Sequence, residues 1–568
     1  MKKMRAILSF RRGGAAVFCV LLCWSFYSAD ARTSQSATPG MHRILVKVFD
    51  AETKQPLAAR VSFTDGEGEY FPPYGHPRKI PSGPWGGDLA LPNGKNYAYV
   101  DKIFETELPS SLIRVEASRG FEYDVFERDF QPEDLPDGIL EIPLLRWINM
   151  EKKGWYPGDT HIHFPNPQAA YLEMRAEGLR VTNLLVYKSG VGNGEHDGEG
   201  IFKNVEHFEG RLNRLSDQRY FIYTNEEFRN HFLGHLIFLN LKQLVWPVST
   251  GEIPENGWGG HDWPTHADAA QLARDQDGLV IWAHFPYPNG ECPVDVALGK
   301  IDAFDLLTTG NPFELHPTLQ RIYKMYGPSV YQRAPIDLFY DYLNCGFRIS
   351  ASAGSDKMST SVPMGSARVY VQTGPTLDYP GWIDGLRRGQ TFISTGPMIE
   401  LSVDGKGPGD EVAVPVPPAE GSHTVLVKAI SRSRMPYQKL EIIHDGEVVA
   451  TTSPSSPYSE ATVEVRVSID RSGWVAARCY GPKMLPYGGP PGHWFRMPVF
   501  AHTNPIWVSI EGRPPDPGEA PDRFLEQIKY HRKYVLEKGR YSTEEDRQYA
   551  LRLIQSAEGV YRKLTNRR

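Results

Sequence analysis

Apolar and polar positions alternate every second residue at both ends of this chain, and a different rhythm fills the middle. Ile44-Leu-Val-Lys-Val-Phe49 and Ala59-Arg-Val-Ser-Phe63 flank a turn containing Pro56, and alternation returns at Leu112–Ala117 and Ile139–Leu144. Period two places one face of a strand in a core, so 41–148 is expected to be a small antiparallel β-sandwich. From 154 to about 398, short apolar runs alternate with helical stretches. Gln168–Glu177 reads as a helix stopped by Gly178, and Val181–Tyr187 as a buried strand. Tyr220–Thr224, Leu236–Asn240 and Leu279–Ala283 are further strand-like runs, with helices expected over Ala267–Arg274 and Thr318–Tyr326. Such alternation predicts a parallel α/β domain with functional side chains at strand C-termini.

After Pro397 the two-residue period resumes in Thr424–Ile430, Leu440–His444, Thr462–Val467 and Gly473–Arg478, separated by turns such as Asp404-Gly405 and Asp445-Gly446. A second β-sandwich is expected over 399–512. Residues 513–520 are rich in Pro and Gly and read as a linker, so 513–568 form a linker and helical tail. Ser542-Thr-Glu-Glu545 reads as a capping box, and Ala550, Leu551, Ile554, Ala557 and Tyr561 form one apolar packing stripe.

Composition changes this picture at the N-terminus. Lys2, Lys3, Arg5, Arg11 and Arg12 precede an apolar run from Ala15 to Phe26 and then Ala29-Asp-Ala31. That order is a secretory signal over 1–31, cleaved after Ala31, and the run is short for a membrane span. The mature protein is therefore expected to be secreted or periplasmic, without a stable membrane span. The whole chain carries −6; residues 1–31 hold five basic side chains and one acidic, which leaves −10 for the rest. With no basic patch, nucleic acid is not an expected partner. The remaining cysteines, Cys292, Cys345 and Cys479, are too sparse for a disulfide framework and allow at most one bridge.

The candidate chemistry lies in the middle segment. In Asp159-Thr-His161-Ile-His163, two imidazoles one residue apart on an extended segment point the same way. Neutral imidazole is a common metal ligand, and a preceding carboxylate can ligate or orient the ring. More candidates fall at the ends of the apolar runs: Glu226-Glu227, His235 after Gly234, His284 after Ala283, and Asp356 in Gly-Ser-Asp. Each has a bland reading: a hydrogen-bonded core histidine for His235, a solvated turn for the glutamates, a helix N-cap for Asp356. Together with His161 and His163 they are expected to converge on one centre.

The set Asp159-x-His161-x-His163, Glu226-Glu227, Gly234-His235, Ala283-His284-x-Pro286, Gly354-Ser-Asp356 resembles the PHP (polymerase and histidinol phosphatase) metallohydrolases. With Phe392-Ile-Ser-Thr395-Gly-Pro397 it is similar to their carbaryl-hydrolase-like CehA/McbA branch. The resemblance covers about 154–400 and implies a distorted (β/α)7 barrel. It also implies a first metal on His161, His163 and Asp356, and a second on His235 and His284. Glu227 would bridge the two, with Glu226 as the alternative. Where many members carry histidines for a third ion, this chain has Val186-Tyr187-Lys188 and Asp356-Lys357-Met358, so two ions or fewer are expected. His196 and His207, in a Gly-rich insertion, could compensate or be solvated loop histidines. Residues 41–148 resemble the transthyretin-like, carboxypeptidase-regulatory β-domains.

The expected activity is a divalent-metal hydrolase (Zn, Mn or Fe) acting on a small-molecule or carbohydrate-linked ester, carbamate or phosphoester. Lys357, beside Asp356, is a candidate general acid, against the plainer reading of a surface lysine. The alternative function is an inactive glycan-binding protein, with Trp85 and Gly257-Trp-Gly-Gly-His-Asp-Trp263 stacking on sugar.

Overall fold

The computed structural model describes residues 38–567 except 81–86, 190–200, 252–259, 287–289, 309, 315–332, 417–421, 457 and 485–496. The signal segment, Trp85, His196, Gly257–Gly259 and the helix expected over Thr318–Tyr326 lie outside the described residues.

Eight strands precede the middle segment: β1 (Met41–Asp50), β2 (Ala58–Asp65), β3 (Leu89–Ala90), β4 (Asn96–Asp101), β5 (Ile103–Pro109), β6 (Ile113–Ser118), β7 (Phe126–Phe130) and β8 (Ile139–Leu144). They form a three-stranded sheet, β5-β1-β8, and a five-stranded sheet, β3-β4-β2-β6-β7. Alternate residues of β1 (Ile44, Val46, Val48) share a core with Val61, Phe63, Val115 and Ile142 of the other strands, the two-layer arrangement that period two dictates.

The middle segment contributes β9 (Trp155–Ile162), β10 (Val181–Ser189), β11 (Ile201–Lys203), β12 (Phe221–Asn230), β13 (Gly234–Leu239), β14 (Leu279–Trp282), β15 (Ala303–Leu307), β16 (Ser350–Ala353), β17 (Arg368–Gln372) and β18 (Thr391–Ser394). Its helices are α1 (Pro167–Ala176), α2 (His266–Arg274), α3 (Cys292–Ala297), α4 (Pro335–Asn344) and α5 (Tyr379–Arg387). Asn166 caps α1 by accepting from Ala169 N (2.9 Å), and Gly178 follows its end at φ +69°.

The strands lie side by side in the order β16-β15-β14-β13-β12-β10-β9-β17-β18, within a sheet of 16 strands. The expected parallel arrangement forms only in part. β9–β10, β10–β12, β14–β15 and β15–β16 pair in parallel, whereas β12–β13, β13–β14, β9–β17 and β17–β18 are antiparallel. The short turn from Asn230 to Gly234 decides the first of these, because a parallel crossover needs a dozen or more residues.

Beyond Pro397 the sheet does not stop: β18 pairs with the strand Pro498–Thr503, so it runs on into the C-terminal region. There Met398–Val403, His423–Arg432 and Ala461–Ile469 form a separate three-stranded sheet. Two helices close the chain, α6 (Ala520–Glu537) and α7 (Glu544–Thr565). The capping box of α7 sits one residue later than the sequence reading placed it, with Thr543 and Asp546 as the reciprocal pair. Of the expected stripe, Ala550, Ile554, Ala557 and Tyr561 are buried, and Leu551 is half-buried at its edge. Cys292, Cys345 and Cys479 are buried, and none is in a disulfide. No helix among the described residues is long and apolar enough to cross a membrane.

Candidate metal centre

Every residue of β9 is buried, and the strand delivers His161 and, one position past its end, His163 into the interior. A parallel bridge between Ile162 and Lys357 brings the Gly354–Asp356 turn alongside. Gly354 is required there, because a Cβ would lie 2.4 Å from the Cβ of His161. Glu227 comes from β12, His235 from the start of β13, and His284 from just beyond β14. His284 (φ 31°) and Asp356 (φ 44°) adopt left-handed backbone that side chains such as theirs rarely occupy. Strain of this kind gathers where the surroundings force a functional group into place.

The six side chains meet around Glu227. His161 Nε2 and His163 Nε2 are 3.1 Å apart, and each lies 3.3 Å from Asp356 Oδ1. Glu227 Oε2 is 3.3 Å from His163 Nε2, and Glu227 Oε1 is 3.5 Å from His161 Nε2. On its other side, Glu227 Oε1 is 3.2 Å from His235 Nδ1 and 3.4 Å from His284 Nε2, which are 3.1 Å from each other. Three overlapping triads result, His161/His284/Asp356, His161/His163/Glu227 and Glu227/His235/His284, each with donor atoms within 4.8 Å.

These spacings suit metal ligation. Ligands about 2.1 Å from a tetrahedral ion stand roughly 3.4 Å from one another, and the donors here are 3.1–3.5 Å apart. Mixed imidazole and carboxylate donors fit zinc, manganese or iron.

The electrostatics point the same way. Burial alone would raise the Glu227 carboxyl, but the Arg229 guanidinium and His161 outweigh it and hold it well below the ordinary carboxylate range. Burial likewise opposes ionisation of Asp356, and His161 and His163 overcome it. Burial, reinforced by neighbouring His235, lowers His284, keeping its ring neutral. Burial also disfavours a charged His161, and Asp356 and Glu227 reverse that. Two carboxylates thus stay ionised in a water-poor site, as a cation would require.

The other expected residues fall elsewhere. Glu226 faces away from the cluster, accepting from Val245 N (2.7 Å), because neighbours on a strand point to opposite faces. Asp159 does not reach a ring: it accepts from Ser355 Oγ (2.5 Å) and from the backbone N–H of His161, Ser355 and Gly365 (3.0, 3.0 and 2.7 Å). It therefore ties β9 to the Ser355 and Gly365 turns, and burial pushes its carboxyl up to about 6. Lys357 is neither a surface lysine nor turned to the cluster. It is 1% exposed, donates to Val362 O (2.7 Å) and pairs with Glu173 of α1 at 3.4 Å. His207 lies apart, beside Glu206 (3.6 Å). Trp263 packs edge-on against Tyr549, with ring centres 5.6 Å apart.

Three contributors escaped the sequence reading. Asp305 Oδ2 lies 2.9 Å from His161 Nδ1; its signal is a lone carboxylate inside the apolar run Ala303–Leu307. Arg229 Nε donates to Glu227 Oε2 (2.6 Å), and its guanidinium lies 4.4 Å from the Tyr187 ring centre. Arg229 follows Glu227 by two residues, hence on the same face. Tyr187 stands edge-on to His163 at 4.4 Å. No protein-family model matches this chain, and no curated protein is found to be similar to it.

Proposed function

We propose that this chain is a secreted, divalent-metal-dependent hydrolase of ester-type bonds (carboxyl ester, carbamate or phosphoester), built on a PHP-type distorted (β/α)7 barrel. The observation that carries the reading is the convergence on Glu227 of five further side chains from four separate points in the chain. The barrel reading draws support from the strand run itself: Thr391 Oγ1 of β18 donates to Ala351 O of β16 (3.2 Å), so the two ends of the run meet.

In this reading His161, His163 and Asp356 would hold one ion, His235 and His284 would hold another, and Glu227, within reach of both groups, would serve both. Bound ions of this kind lower the pKa of a coordinated water and polarise a scissile carbonyl or phosphoryl group. The chain's residues supply the rest. Asp305 accepts a hydrogen bond from Nδ1–H of His161, which turns the Nε2 lone pair inward. Arg229, itself buried, offsets the charge of Glu227. Tyr187 and Arg229 occupy the side where the resemblance places the ligands of a third ion, which favours a binuclear site.

The test is metal analysis coupled to a screen of p-nitrophenyl esters, carbamates and phosphoesters. About one to two equivalents of transition metal that His161→Ala/His284→Ala removes are expected, with turnover in one substrate class that Glu227→Gln abolishes. Wild-type protein that holds no more metal than that double variant under any loading condition overturns the reading.

A further inference from the structure

A second group of ligand-type side chains lies on the other face of the same strands. Phe228 follows Glu227 on β12 and so points away from the six-residue cluster. The ring of His266 packs edge-on against Phe228 (5.6 Å) and against Trp282 of β14 (5.8 Å). His266 opens α2. Glu291 and Asp295 lie four residues apart at the start and within α3, hence on one face of it. The three donate ligand-type atoms within 4.8 Å of one another, and all are buried.

Two of them lack a side-chain partner among the described residues. Among the described residues, neither ring nitrogen of His266 and neither carboxylate oxygen of Asp295 has a hydrogen-bond partner, although all four atoms are buried. Glu291 accepts from His266 N at 3.3 Å. No Lys, Arg or His ion pair reaches Glu291 or Asp295 among the described residues, and Lys300, nearest in sequence, donates instead to Gln271 Oε1 (2.5 Å). Burial pushes both carboxyls up; Glu291 raises Asp295 further against the pull of Lys300, and Asp268 raises Glu291. A shared proton would need a hydrogen bond between the ring and a carboxyl, and none joins His266 Nδ1 or Nε2 to Asp295 as they stand. A cation satisfies all three groups at once.

We propose that His266, Glu291 and Asp295 hold a structural divalent cation of the zinc or cobalt type, separate from the Glu227 cluster. It ties the start of α2 to α3, against which α7 packs through Tyr561 OH and Pro293 O (2.8 Å). Its chemistry is that of a closed site, because the side chains around it are buried and no substrate path is needed.

The test uses the full-length chain, stripped of metal, loaded with Co(II) and desalted. In His161→Ala/His284→Ala, which removes the Glu227 cluster's ligands, about one equivalent of Co(II) remains. Asp295→Asn added to that background removes it, and the rise in melting temperature on Zn(II) addition disappears. The single Asp295→Asn variant provides a check if the triple variant fails to fold: it holds about one equivalent less than wild type while keeping the metal of the Glu227 cluster. A folded His161→Ala/His284→Ala variant that retains no metal overturns the proposal. So does a metal count that Asp295→Asn leaves unchanged; an accompanying gain in metal-free stability would then assign the pair a shared proton. The hydrolase reading is judged separately, since its failure empties the Glu227 cluster and leaves this count intact.

Discussion

Asp305 Oδ2 stands 2.9 Å from Nδ1 of His161, a contact between strands whose residues are 144 positions apart in the chain. It sets which nitrogen of His161 faces Glu227. Asp305→Ala is therefore expected to leave the fold intact and weaken metal binding about 10–100-fold. Competition with a metal-sensitive dye measures this, and unchanged affinity would remove Asp305 from the site.

Glu227 is the carboxylate that four imidazoles approach. Glu227→Gln keeps its volume but removes the charge that Arg229 and the histidines answer. Loss of the stabilisation that bound metal gives a transition state is worth several kcal/mol, on the order of a thousand-fold in kcat/KM. His161→Ala and His284→Ala should each lose metal yet retain wild-type circular dichroism.

Lys357 invites a contrast between chemistry and architecture. Its ammonium is buried against Val362 O and Glu173. Lys357→Met strands the Glu173 carboxylate, for an expected cost of about 3–5 kcal/mol, read as a lower midpoint in urea. Metal content and the alkaline limb of the pH–rate profile should stay in place; a shifted limb would restore Lys357 as an acid.

Gly354 leaves no room for a side chain beside His161, with a Cβ placed 2.7 Å from the His161 backbone nitrogen. Gly354→Ala should cost about 1–3 kcal/mol and reduce metal occupancy, because relief requires β9 or the Asp356 turn to move. Equal occupancy in variant and wild type would argue against so tight a coupling.

His502 supplies a pH dependence remote from metal. Burial, with Arg478 nearby, lowers its pKa from 6.5 to about 3; its Nδ1 donates to Thr503 O at 2.6 Å and its Nε2 accepts from Tyr340 at 2.8 Å. A folded-state pKa below the unfolded value means the unfolded chain binds more protons. Its contribution is thus complete above the unfolded value and is lost as pH falls from 6.5 towards 3, by about 1.4 kcal/mol per unit. Melting curves across that range should fall more steeply for wild type than for His502→Gln.

Much of this was legible in one dimension. Period two marked the strands, Gly178 marked the end of α1, and ligand-type residues stood out where apolar runs ended. Glu226 and Glu227 could not be separated without the strand's register, since a shift of one residue exchanges the faces. Asp159 looked like a ligand because its neighbours were histidines; only folding showed its oxygens taken up by Ser355 and Gly365. The helical tail was one residue out, because Ser542 and Thr543 are equally capable caps and tertiary packing chose between them.

The sequence by itself determined which residue types are available for metal chemistry and which segments carry them, since periodicity and side-chain chemistry are local properties. Tertiary structure alone decided that β12, β13 and β14 run antiparallel, that Asp305 and Arg229 join the site, and that Lys357 leaves it. Those outcomes depend on contacts between positions far apart in the chain. Such contacts are set by how strands align and which faces they bury, and no short stretch of sequence contains that information.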